Sequence, residues 1–156
     1  MQAATQPKTP WNPSKRATAR IANPMPAPVE CPHCRSNVRI ANNSEIYRGR
    51  SFGDWPWVYV CEGPECMAYV GMHPYTAIPL GILATEEMRE YRKRAKSLFN
   101  PIWQNGKRTR TEAYRWLANL MGLEPGDCHF GMFDVQQCKE AIRIMRASLH
   151  NIHARG

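Results

Sequence analysis

The sequence lacks long apolar segments. Its 156 residues contain no run of the roughly 18 or more apolar side chains that a membrane-spanning helix requires. The first residues, MQAATQPKTPW, also lack the apolar stretch of a secretory signal. We therefore expect a cytoplasmic protein that has no membrane partner.

Acidic residues are scarce relative to basic ones. Asp and Glu number 13 against 21 Lys and Arg, which gives a formal net charge of +8. This excess favours an anionic partner but says little about the fold. It is also localised, since residues 85–110 contain eight basic and three acidic residues, and residues 1–30 contain four basic and one acidic.

Three parts of the chain differ in composition. Residues 1–30 contain six of the 13 prolines, which block helix and remove backbone donors, so we predict a disordered, Pro-rich basic arm. Residues 31–84 include short alternating segments at 37–40, 44–47, 57–60 and 68–71, typical of antiparallel strands. Residues 85–156 have apolar side chains at helical spacing after start signals at Thr85, Thr109 and Asp134, which predicts about three helices. Between the first two of these helices, Asn100-Pro101 predicts an end or a kink.

Four of the six cysteines form two closely spaced pairs. Cys31 and Cys34 make a C-x2-C knuckle, Cys61 and Cys66 make a C-x4-C knuckle, and 26 residues separate the two. Four thiolates on two knuckles suit one tetrahedral Zn²⁺, and a closed shell of sulfurs indicates a structural ion. Free or disulfide-bonded thiols are the alternative, and a reducing cytosol disfavours the disulfide. The predicted fold class is thus α+β, with a small zinc-ribbon-like β module packed against the C-terminal helices.

Other ligand-type residues are less clearly arranged. His33 lies inside the first knuckle, where it is a weaker candidate ligand than the cysteines. Cys128, His129 and Cys138 supply three donors for a second site but no evident fourth. Because Cys138 falls on the apolar stripe of the last helix, a buried small side chain is the favoured interpretation of that residue.

Two segments have the composition of a nucleic-acid contact. The segment 47–57 interleaves arginines with aromatic rings that can stack on bases, and residues 89–110 place basic side chains beside an apolar helix stripe. The alternatives are a solvated helix face for the basic residues, and for the rings a core position of Trp57 and Tyr59 with Trp55 packed on Pro56. The candidate nucleic-acid-binding residues are Arg48, Arg50, Trp55, Arg89, Arg92, Lys93, Lys96, Lys107, Arg108 and Arg110.

Several motifs together resemble the phage and prophage proteins that carry a zinc-finger-containing domain of unknown function. The resemblance covers about residues 31–145 and rests on the two cysteine pairs, on 68–74 with 79–81, on 113–118, and on 128–134 with Cys138. The family often has His and Asp in the helix before Trp103, where this chain has Lys96 and Asn100. The resemblance implies a phage origin and a metal-binding fold, and it transfers no activity.

These observations favour a non-enzymatic, zinc-binding phage protein that binds nucleic acid through its basic arm and helix. The alternative is a phage adaptor or inhibitor that binds a host protein machine through the Pro-rich arm and the Trp-rich loop of residues 47–57. The fold does not decide between them, because zinc ribbons bind both nucleic acids and proteins. An enzyme is less favoured, because neither a paired nucleophile and base nor an open metal site stands out.

Overall fold

The computed structural model describes the backbone of residues 6–154 and the side chains of residues 6–149. The chain divides into two compact units, of which the first ends at Thr85 and the second begins at Glu86. The division into residues 1–30, 31–84 and 85–156 stays a prediction, and its second boundary falls one residue before that of the two units.

The first unit is built on a three-stranded antiparallel sheet. Its strands are β1 (Val38–Asn42), β2 (Trp57–Cys61) and β3 (Tyr69–Gly71), in the order β1-β2-β3. The predicted small antiparallel β module is therefore confirmed, and β2 is its central strand. The segment 44–47, which alternates like a strand, instead begins in a 3-10 turn, Asn43–Glu45. This turn has a local cause, because Oδ1 of Asn42 accepts a hydrogen bond from the Ser44 amide at 2.9 Å.

The core of this unit lies against β2. Tyr59 is only 3% exposed, and its hydroxyl donates a hydrogen bond to the carbonyl of Ala77. This bond ties the loop after β3 to the central strand and satisfies the only polar atom of a buried ring. The buried residues of the cluster around it are Cys31, Tyr59, Cys61, Ala68, Val70, Met72 and Leu83.

The described part of the Pro-rich arm makes specific contacts with the β module, where the sequence predicted disorder. A short helix, α1 (Lys15–Ala19), starts after Ser14, whose hydroxyl accepts from the Ala17 amide at 3.1 Å. The Ser14 amide donates to the Tyr75 carbonyl at 2.8 Å, and the Trp11 ring meets the Trp57 ring edge-on at 5.4 Å. The prolines limit the arm to one short helix, but they do not prevent side chains from packing.

The described part of the second unit contains three α-helices, as predicted, and two short 3-10 helices, Pro125–Asp127 and Phe130–Met132. The α-helices are α2 (Glu86–Gln104), α3 (Arg110–Met121) and α4 (Val135–Ala154). The Thr109 hydroxyl caps α3 by accepting from the Glu112 amide at 3.1 Å. Before α4, Asp134 and Gln137 each accept from the other's backbone amide, at 2.8 and 3.0 Å, which forms a reciprocal capping box.

The core of the second unit is apolar and rich in aromatic rings. Phe99 is fully buried, with its ring 4.4 Å from that of Tyr114 and 5.2 Å from that of Phe130. Helix α2 continues through Pro101 to Gln104. Because Pro101 lies in the last turn of α2, it removes one backbone hydrogen bond without ending the helix. The fully buried residues of this core are Ala95, Phe99, Ala113, Leu117, Ala118, Cys128, Phe133, Cys138, Ala141 and Met145.

Candidate metal centre

The sheet brings the two cysteine knuckles together. Cys61 ends β2, Cys66 lies in the connection to β3, and the knuckle of Cys31 and Cys34 precedes β1. The first knuckle is closed by two backbone hydrogen bonds, in which the Cys31 amide donates to the Ser36 carbonyl and the Arg35 amide donates to the Cys31 carbonyl. Since Val38 of β1 pairs with Cys61 of β2, the register of the sheet sets the distance between the knuckles.

The four sulfurs are arranged as a metal site requires. All four Sγ atoms lie within 4.8 Å of one another, with Cys31 and Cys66 at 3.7 Å and Cys34 and Cys61 at 3.3 Å. A tetrahedral zinc ion with Zn–S bonds of about 2.3 Å places its ligand sulfurs about 3.8 Å apart. All four cysteines are free thiols, and the two sulfur pairs lie well beyond the roughly 2.05 Å of a disulfide. The cluster therefore fits one metal ion of the zinc type.

The surroundings of the sulfurs shift the pKa values of the thiols in opposite directions. Hydrogen bonds from Ser36 lower the pKa of the Cys34 thiol to about 6. Burial raises the pKa of Cys61 to about 12 and also raises that of Cys66. The Gly63 amide donates to Sγ of Cys61 at 3.2 Å, which supports a thiolate there once a cation is bound. A bound Zn²⁺ would supply the positive charge that the buried thiolates lack.

His33 is not part of the sulfur cluster, and its ring is held by a hydrogen bond to the backbone. Its Nε2 lies 2.8 Å from the carbonyl oxygen of Leu83. A carbonyl only accepts, so Nε2 carries the proton and donates. Cys34 thus completes the donor set, and four protein sulfurs leave no coordination position for a reactive water. The arrangement is that of a structural centre.

The residues considered for a second metal site do not form one. Cys128 and Cys138 are fully buried in the helical core, whereas His129 is exposed and lies with its ring 6.0 Å from Tyr114. Within residues 6–149, the four-cysteine cluster is the one group of three or more metal-ligating side chains. Cys138 is therefore a buried small side chain, in agreement with its position on the helical stripe.

The candidate nucleic-acid residues of the first unit lie in and beside the connection between β1 and β2. Arg48 and Arg50 are exposed, and the Arg50 guanidinium lies 6.0 Å from the centre of the Phe52 ring. Trp55 is half-buried, and its Nε1 donates to the Thr76 carbonyl at 2.9 Å. That bond fixes the ring in the β module, so Trp55 offers less free surface than the arginines.

Two further rings in this connection are exposed and were not among the predicted site residues. Tyr47 and Phe52 are 41% and 51% exposed, and their rings meet edge-on at 5.0 Å. The Tyr47 hydroxyl lies 3.3 Å from that of Tyr69 on β3. The alternation of arginine and aromatic residues in 47–57 was a signal for this cluster, but sequence alone does not distinguish exposed rings from buried ones.

The candidate basic residues of the second unit are mostly exposed. Arg92 differs from the others: its Nε donates to the Phe133 carbonyl at 2.8 Å, and the desolvation that follows lowers its pKa. One of its terminal nitrogens is buried without a hydrogen-bond partner among the described residues. Arg89 is half-buried. The exposed candidates are Lys93, Lys96, Lys107, Arg108 and Arg110.

Comparison with known proteins supports the nature of the centre. No curated protein and no solved structure matches the chain. None of the helices in the described part of the chain is long and apolar enough to cross a membrane. A family model described as a zinc-finger-containing domain matches residues 27–148, which include all four clustered cysteines. This match covers most of the chain, and the protein therefore belongs to the zinc-finger-containing domain family DUF3268.

Proposed function

We propose that this protein is a non-enzymatic phage or prophage protein that binds nucleic acid, and that Zn²⁺ stabilises its β module. The observation that carries the proposal is a set of exposed cations without acidic partners in the second unit. The described residues form three ion pairs, which are Arg35 with Glu30, Arg39 with Glu45, and Arg143 with Glu140. The five exposed candidates of 93–110, hereafter the basic strip, take part in none of them.

Unpaired exposed cations are suited to a phosphate backbone. They lose little hydration before contact, and each neutralised phosphate releases condensed counterions, which gives salt-dependent binding without base reading. A surface that served only to solvate a helix would gain from neighbouring carboxylates at helical spacing. Glu90 is three residues before Lys93 on α2, but the two side chains form no ion pair in the described part of the chain, and no other acidic residue of α2 lies at helical spacing from the strip.

Two arginines of the basic strip are oriented by aromatic rings. The Arg108 guanidinium lies 5.0 Å from the centre of the Trp116 ring, and that of Arg110 lies 5.9 Å from Trp103. Such contacts restrict the side chains before a ligand arrives, so less conformational entropy is lost on binding.

The first unit adds a second surface of complementary chemistry. Tyr47, Phe52, Arg48 and Arg50 form an exposed group that we call the aromatic loop cluster. Exposed rings stack on unpaired bases, while arginines contact the backbone. The cluster therefore favours a single strand over a duplex, in which the bases already stack on each other.

The test is a binding titration of the zinc-loaded protein with labelled single-stranded and duplex oligonucleotides across a salt series. We expect affinity to fall steeply with salt, with a slope of about −0.7 to −0.9 per neutralised phosphate. Lys93→Gln with Lys107→Gln should weaken binding and make the slope shallower by the amount expected for about two phosphate contacts. The matched control is Arg35→Gln with Arg39→Gln, which removes the same charge from exposed residues already paired with carboxylates.

A protein-binding adaptor is the second candidate, because Trp11 is 66% exposed and Tyr75, which lies close to Trp55, is 46% exposed. Large exposed rings are enriched at protein interfaces. Capture of partners from a nuclease-treated host lysate separates the two functions. Absence of oligonucleotide binding at low salt, together with a host protein retained at one copy per chain, would overturn the proposal in favour of the adaptor.

A further inference from the structure

A basic hollow lies between α2 and α4 of the second unit, away from the residues considered above. Its volume is about 410 Å³. This falls within the range of pockets that hold small organic ligands, roughly 300 to 1,000 Å³. The residues that line it are Tyr91, Arg94, Lys139, Ile142, Arg143 and Arg146.

The lining has four cations and no acidic side chain. Glu140, outside the lining, holds Arg143 through two hydrogen bonds of 2.7 and 3.2 Å. Among the residues that the structure describes, Arg94, Lys139 and Arg146 have no carboxylate partner. Cations gathered around one hollow repel each other, and an anion placed between them would remove that cost.

The cations converge because of their positions on the two helices. Lys139, Arg143 and Arg146 follow one another at steps of four and three residues, which places them on one face of α4. Across from them on α2, the Tyr91 ring has the Arg94 guanidinium at 5.2 Å and the Lys139 ammonium at 5.4 Å from its centre. One ring thus holds a cation from each helix at the hollow.

This hollow is separate from the basic strip. Arg94 and Lys96 are two residues apart on α2, so at about 100° per residue their side chains leave the helix about 160° apart. Lys93 leaves the helix about 100° from Arg94, so both strip lysines of α2 project away from it, and neither lines the hollow.

We infer that this hollow binds a ligand that bears adjacent phosphate groups. Each phosphate monoester carries roughly −1.5 to −2 at neutral pH, so two neighbouring phosphates balance the three unpaired cations. The two arginine forks supply directed donors, and Lys139 supplies a point charge. Free diphosphate and a nucleoside diphosphate present the same chemistry to these residues.

The inference is tested by calorimetric titration of the full-length, zinc-loaded protein with sodium pyrophosphate and, separately, with ADP. The test variant is Lys139→Gln with Arg146→Gln, and the matched control is Lys93→Gln with Lys96→Gln, which removes the same charge from the basic strip. We expect pyrophosphate to bind the wild-type protein and the control with similar affinity, and the test variant at least about tenfold more weakly. Equal helical circular dichroism and melting temperature establish that the variants are folded.

Tighter binding of ADP than of pyrophosphate would assign a nucleotide, and equal binding would assign a free diphosphate; either supports the phosphate site. Failure of both probes to bind the wild-type protein would overturn it. Equal weakening of pyrophosphate binding in the two double variants would also overturn it, because that result would mean that net charge, and not the hollow, determines the affinity. If the test variant binds an oligonucleotide more weakly but binds pyrophosphate and ADP as the wild type does, the hollow is part of the nucleic-acid surface and the inference is wrong.

Discussion

The backbone amide of Gly63 donates a hydrogen bond to Sγ of Cys61 at 3.2 Å. A Cβ at Gly63 would lie 3.1 Å from Sγ of Cys34, 3.2 Å from Sγ of Cys61 and 3.0 Å from the Ser36 hydroxyl. The second knuckle thus approaches the first so closely that only a hydrogen fits between the Gly63 backbone and two of the ligand sulfurs.

Gly63→Ala should therefore weaken metal binding. The sulfurs are held by the ion and by their knuckles, so they can move away only by distorting the site, at a cost of about 1–3 kcal/mol typical of overpacking. The measurement is competition for zinc against a chromophoric chelator. Gly126→Ala is the control, because a Cβ there meets no atom within 4 Å. Unchanged zinc affinity in Gly63→Ala would mean that the knuckles open more readily than the sulfur distances indicate.

Loss of one ligand should unfold the β module. A module of this size buries too little surface to be stable alone, whereas zinc contributes roughly 10–16 kcal/mol to comparable folds. Typical domains have a net stability of about 5–15 kcal/mol, so the metal decides the outcome. We expect elemental analysis to give one zinc per wild-type chain.

The test variants are Cys31→Ser and Cys66→Ser, and the control is Cys138→Ala, in the helical core. Zinc content and the near-ultraviolet signal of the tryptophans should fall in the first two and persist in the control. Full retention of one zinc per chain in either serine variant contradicts the four-sulfur assignment.

The metal centre, the starts of α3 and α4 and the end of α3 could be predicted because each depends on residues close together in sequence, whereas α2 continues through Pro101. Each cysteine knuckle folds locally, and the sheet then brings the two knuckles together. Thr109 with Glu112, and Asp134 with Gln137, form caps within one turn. The left-handed backbone of Gly122, at φ 71°, ends α3 in the same local way.

The other features depend on contacts between residues distant in sequence. The Pro-rich arm packs because Trp11 meets Trp57, and no local pattern encodes that pair. Arg92 projects at the border of the apolar stripe of α2, and only the position of Phe133 determines that its guanidinium turns inward. In the same way, the sequence predicts a loop rich in arginine and aromatic residues. Which of its rings stay exposed, as Phe52 does, depends on which rings pack against β2 in the folded module.

Cys128 and Cys138 should resist alkylation in the folded protein. Burial raises the pKa of each thiol to about 11, so at pH 8 only about one thousandth of either is the reactive thiolate. A raised folded-state pKa contributes stability that is complete below the unfolded value of about 8.5 and is lost as the pH rises through about 11. We therefore expect the helical unit to lose stability across that interval.

Mass spectrometry after iodoacetamide treatment at pH 8 measures the first effect. Neither Cys128 nor Cys138 should be modified within the time that modifies a free peptide thiol, and both should react fully in denaturant. Rapid modification of Cys138 in the folded state would show that α4 detaches from the core.

The ring of Trp11 should hold the Pro-rich arm on the β module. Trp11 remains 66% exposed, so little surface is buried, and the edge-on contact with Trp57 should contribute about 0.5–1.5 kcal/mol. Trp11→Ala should therefore leave zinc bound but speed tryptic cleavage after Lys15 and Arg16, because the segment before α1 then loses its ring contact with β2. Trp11→Phe keeps a ring and should be cleaved at nearly the wild-type rate. Equal cleavage of all three proteins would mean that the ring pair does not restrain the arm in solution.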